Sequence, residues 1–176
     1  MKRTPDPIRL AEAWLRGPVE GIPDALQPVA HAFIAAREDV AAPMTGLSAA
    51  QLWAQPGGAA SIGFHLMHMA GATDRLLTYA RGEALSEPQK AALGAERTPP
   101  EPPPSAGALL KAWDAAVERA LTQIGETQDG ELDAARFVGR AQLPSTVRGL
   151  LFHAAEHATR HAGQIITTAK IVRSGR

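Results

Sequence analysis

Along most of this chain apolar residues recur at intervals of three and four positions, in stretches separated by clusters of proline and glycine. That period belongs to helices with one face turned to a core, and the breaks mark where each helix stops. The first long stretch follows Pro23 and runs through "DALQPVAHAFIAAREDVAA" to about Ala42. Pro28 is tolerable there because it falls in the first turns, where backbone N–H groups lack helical partners anyway. Ser48 predicts the cap of a short helix that Pro56, Gly57 and Gly58 close. A second long helix is expected over residues 59–80, with Gly82 placed to end it. Ser105 opens a third, "AGALLKAWDAAVERALTQI", which fades near Gly125; the fourth follows Pro144 and Ser145 and reaches about Val172.

Four amphipathic helices of roughly twenty residues have one common packing solution. The expected fold class is therefore all-α, a four-helix bundle with a long crossover between the second and third helices. The crossover is the proline-rich segment "EALSEPQKAALGAERTPPEPPP", read as a short helix followed by an extended, surface-lying connection over residues 98–104. A further short helix, "IRLAEAWLR", is expected on the outside of the bundle. The length of 176 residues fits a single domain, 1–176, with a core large enough to need no disulfide.

Eighteen basic and eighteen acidic side chains cancel, so no global field draws the molecule to nucleic acid or to an anionic membrane. The expected partners are a small-molecule substrate and a second copy of the chain in a homodimer. Cysteine is absent, which excludes disulfides, thiolate ligands and a cysteine nucleophile; any thiol chemistry needs a thiol from outside. The opening "MKRTPDPIRLAEAWLRGP" is broken by Asp6, Arg9 and Glu12, unlike a secretory signal, and no apolar run is long enough to span a bilayer. The cytoplasm is the expected location.

Candidate chemistry lies in the histidines. Half of the six stand in "LLFHAAEHATRHAGQI", where His153, His157 and His161 recur at every fourth position. On a helical projection the apolar face takes in Leu150, Leu151, Ala154, Ala158, Ala162 and Ile165; His161 falls inside it, His157 on its shoulder and His153 toward the polar side with Glu156 and Arg160. Imidazoles one turn apart have Cβ atoms about 5–6 Å from each other and can converge on one ion. Burial favours the pair His157 and His161. A third ligand must come from elsewhere, and "SIGFHLMHMAGATDRLL" offers His65 and His68, between which periodicity does not choose. His31 is a weaker candidate, read as structural or exposed.

A three-imidazole set suits Zn, Ni, Fe or Cu better than Mg or Ca, which prefer oxygen. A phosphate-binding glycine loop, the H-E-x-x-H pair and a serine nucleophile elbow are all missing. The Glu-x-x-His pairing of di-iron bundles fits poorly, since Glu156 is five residues from His161 and the second helix brings no carboxylate partner. Asp74 and Glu156 are candidate bases without a clear assignment, and Gln164, one turn-width after His161, is a candidate for orienting a ligand or water.

Two motifs carry a family resemblance: "LSAAQLWAQPGGAASIGFHLMHMAGATDRLLTYARGE" and "LLFHAAEHATRHAGQI". With them the chain resembles the DinB-like metalloenzymes, a family that includes thiol-dependent S-transferases. The resemblance implies a four-helix bundle whose metal takes one histidine from the second helix and two from the fourth. By position after Gly63 it selects His68 rather than His65, and by position before Gly163 and Gln164 it selects His157 and His161. It implies a divalent transition metal, Zn or Ni foremost, with an external low-molecular-weight thiol and a small electrophile as reactants. A metal-dependent hydrolase and a metal-binding bundle without turnover are the alternatives.

Overall fold

The computed structural model describes residues 11–98 and 100–175. Its elements follow in the order α1 (Gln27–Met44), α2 (Ala49–Trp53), α3 (Ile62–Ala80), α4 (Glu87–Ala95), α5 (Ala106–Glu126), β1 (Ala135–Val138), β2 (Leu143–Thr146) and α6 (Val147–Arg173). The molecule is mostly helical, as the period of the apolar residues requires.

Each long helix after the first begins at a side chain that takes up a free N–H of its first turn. Ser61 Oγ accepts from Phe64 N at 3.1 Å, Ser105 Oγ from Ala108 N at 3.2 Å and Thr146 Oγ1 from Gly149 N at 3.0 Å. α1 opens instead through a 3-10 turn, Asp24–Leu26, with Pro28 in its first turn. Ser48 and Gln51 form a reciprocal capping box on α2. Gly82, with φ +79°, takes the left-handed conformation just past the end of α3, where a side chain would be strained.

The four long helices pack mainly as the pairs α3 with α6, α1 with α6, α3 with α5 and α1 with α5. Trp113, Phe33, Leu66, Met69, Leu151 and Ile165 are fully buried among them. The buried face of α6 is rich in alanine, with Ala154, Ala155, Ala158, Ala162 and Ala169 all enclosed. Small side chains let helix axes approach closely, and short imidazoles can then reach from α6 to α3. Gly63 acts similarly at the start of α3: a Cβ there would lie 2.7 Å from Trp53 Cη2, so only glycine admits the indole.

Three departures from expectation stand out. Residues 135–146 form an antiparallel hairpin, with Phe137 opposite Pro144, where an all-α chain was expected. Its strands have four residues each, too short for a clear alternating signal, and Arg136 Nε ties it to the end of α3 by donating to Ala80 O at 2.7 Å. α3 starts at Ile62 rather than near residue 59, because Ser61 is its cap. Of the helix expected in "IRLAEAWLR", residues 8–10 lie outside the described part; the remainder is a 3-10 turn, Ala13–Leu15, packed on α1. The segment between α3 and α5 carries α4 and then a helix-free stretch through the described residues of 98–104, as its prolines dictate. Among the described residues no helix is long and apolar enough to cross a membrane.

Candidate metal centre

α3 and α6 bring three imidazoles together. His68, one and a half turns into α3, faces His157 with the two Nε2 atoms 3.2 Å apart, and His157 Nε2 lies 3.3 Å from His161 Nε2. Among the described residues these three form a group that could hold a metal ion, with one ligand atom from each within 4.8 Å of the others. Zn–N bonds of about 2.0–2.1 Å at tetrahedral angles place nitrogens roughly 3.3–3.4 Å apart, so both spacings suit such an ion. All three rings are half-buried.

Burial, and after it the neighbouring His68, pushes His157 down from the ordinary imidazole value of 6.5 to about 4. Burial, followed by His157, does the same to His161, also to about 4. Both rings are therefore neutral near pH 7, the form that ligates. An all-nitrogen donor set fits a transition metal.

The remaining histidines take other places. His65 is the most buried residue of the group, at 6% exposure, yet it stands behind the cluster with its Nδ1 2.9 Å from His161 Nδ1. Burial lowers its pKa as well. Exposed His153 pairs with Glu156 across 3.3 Å on the outer side of α6, and His31 Nε2 meets Gly17 O at 3.0 Å, tying α1 to the segment before it. Phe64 stacks on His68, the planes 7° from parallel with centroids 5.5 Å apart.

Neither candidate base is free for that role. Asp74 Oδ2 accepts from Gln89 Nε2 at 2.7 Å, which fastens α4 to α3, and Glu156 is held by Arg160 and His153, with Arg160 keeping its carboxyl below the usual range. Gln164, the candidate for orienting a ligand or water, is exposed, and the residue standing behind His161 is His65. Sequence reasoning missed Glu96, the residue closing α4, whose Oε2 lies 3.0 Å from His68 Nδ1. Only the "SEPQ" capping box hinted at a helix there, and nothing in the pattern said where it docks.

A cavity of about 890 Å³ lies away from the histidines. It opens between α4 and the hairpin, lined by Tyr79, Leu93, Arg136, Phe137 and Arg140.

A mostly helical protein that gathers three histidines from two helices into a group able to hold a metal is what these elements define. The chain belongs to the DinB superfamily, whose sequence profile matches residues 32–165, from the first turns of α1 to just past His161. No curated protein matches it.

Proposed function

We propose that the protein is a metal-dependent enzyme acting on a small molecule, in which His68, His157 and His161 hold one divalent transition metal, Zn or Ni foremost. His65, His153 and His31 stay outside that set. The observation that carries this reading is the convergence of three Nε2 atoms from half-buried rings, with burial keeping His157 and His161 neutral. The four long helices are read as a four-helix bundle, with the segment between α3 and α5 as its crossover.

Three donors leave an open position, at which a bound metal would lower the pKa of a coordinated thiol or water. The most concrete activity is transfer of an external low-molecular-weight thiol to a small electrophile, by analogy with the S-transferases of the DinB-like family. The absence of cysteine supports it, since no internal thiol competes for the open position. His157 and His161 contribute neutral donors, His65 backs His161, and Phe64 limits the swing of His68 by stacking.

Elemental analysis of protein purified without an affinity tag tests the first step, with one transition metal per chain expected. Cobalt-substituted protein tests the second. A small thiol should add a sulfur-to-metal absorption band, and conjugation to a model electrophile should require both metal and His68. An unchanged spectrum with metal-dependent ester or amide cleavage would replace transfer by hydrolysis. Metal-free native protein would leave a bundle without this chemistry.

A further inference from the structure

The cluster uses one nitrogen of His68; the other has a neighbour of its own. Nδ1 is buried, has no well-aligned hydrogen-bond partner, and stands 3.0 Å from Glu96 Oε2. The second oxygen of that carboxylate accepts from Arg75 Nη2 at 3.0 Å, and both side chains are only 11% exposed. Gly71 makes the room: a Cβ there would lie 2.9 Å from Arg75 Nη1 and 3.2 Å from Glu96 Oε1. The backbone at Gly71 is ordinary helix, so the glycine supplies space rather than a special conformation.

We propose that Glu96 is a positioning residue for the histidine cluster: its carboxylate holds the Nδ1 proton of His68 and keeps the Nε2 lone pair turned toward His157 and His161. An ionised carboxylate only accepts, so a bare Nδ1 would set lone pair against lone pair at 3.0 Å. The opposite side of the cluster is built alike. His161 Nδ1 donates to His65 Nδ1 at 2.9 Å, which frees His161 Nε2. Without metal, one proton on His157 Nε2 then serves the contacts to His68 Nε2 and His161 Nε2 at 3.2 and 3.3 Å, and it moves to Nδ1 when His157 ligates. A single assignment of ring protons thus sets a donor against an acceptor at every contact among these groups.

The carboxylate rides on an element with no buried residue. α4 is fastened by polar contacts, Gln89 Nε2 to Asp74 Oδ2 at 2.7 Å and to Thr78 Oγ1 at 2.8 Å, besides the Glu96 pair itself. Replacing Glu96 therefore opens no hole in the apolar core.

The consequence for metal affinity rests on the three-histidine reading, whereas the ring proton of His68 can be read in metal-free protein. Glu96→Gln keeps the shape but accepts at one oxygen only. Arg75 claims that oxygen, and the amide N–H turned toward His68 favours the tautomer with its proton on Nε2. Nitrogen-15 NMR of the full chain without metal should show His68 change from the Nδ1–H to the Nε2–H form. Zinc affinity, measured by competition with a chelating indicator, should fall roughly 10- to 100-fold. Gly71→Ala, which displaces the Arg75–Glu96 pair without altering a titratable group, should weaken zinc in the same direction, and Glu96→Asp should recover part of what Glu96→Ala loses. An unchanged His68 tautomer in Glu96→Gln overturns the proposal, even if thermal stability drops, and so does unchanged zinc affinity in a protein whose wild type binds zinc. A wild type that binds neither zinc nor nickel, with the tautomer change intact, overturns the metal reading and leaves the positioning role standing.

Discussion

His68 Nε2 and His157 Nε2 lie 3.2 Å apart, although 89 positions of chain separate the two residues. The contact exists because α6 packs against α3, and it makes the histidine set testable residue by residue. Alanine at His68, His157 or His161 should each abolish stoichiometric metal, since two imidazoles make only part of a site. His31→Ala and His153→Ala should retain it, their rings being tied to Gly17 and Glu156. His65→Ala should keep one metal per chain with affinity about tenfold lower, the effect of removing a group that orients a ligand. Metal content after dialysis and titration with a competing chelator distinguish the three classes.

Acid should destabilise the metal-free protein in a defined window. His157 and His161 have values of about 4 in the folded chain against 6.5 for an ordinary imidazole, so between those limits the unfolded chain binds more protons. The stability their neutral rings permit is complete above pH 6.5 and is lost as the pH falls toward 4. Urea midpoints at pH 7.5 and 5 should therefore differ more for wild type than for His157→Ala or His161→Ala. The same values move proton competition for the metal below the pH of about 6 that unperturbed histidines would set.

At the start of α3 two substitutions should cost stability for different reasons. Gly63→Ala drives a methyl to within 2.7 Å of Trp53 and should cost about 1–3 kcal/mol, the usual penalty of overpacking. Ser61→Ala removes the acceptor for Phe64 N and should cost about 1 kcal/mol. Chemical denaturation gives both values, and tryptophan emission should shift only in the first variant, because only there is Trp53 displaced.

The hairpin should loosen when its tie to α3 is cut. Arg136→Met removes the 2.7 Å bond from Nε to Ala80 O and should accelerate amide exchange in β1 and β2 while leaving α3 and α6 protected. Equal exchange in both proteins would mean that the strand pairing alone holds the hairpin.

The chain itself determined its helices, because their signals are local. The apolar period, the caps Ser48 and Ser105, and the stop at Gly82 each act within a few residues, and the i, i+4 spacing placed His157 and His161 side by side before any packing was known. Periodicity left His65 and His68 unresolved, and burial alone would have misled, since His65 is the more enclosed yet stands behind His161. Only the rotation of α3 against α6 decided that His68 turns its Nε2 to the cluster, and only the docking of α4 brought Glu96 to its other nitrogen. Both depend on contacts between segments far apart in the chain, where the fit of two surfaces, and not any local preference, fixes which atoms meet. The hairpin escaped notice for the same reason: strands of four residues carry little pattern of their own and gain their place from Arg136 reaching Ala80.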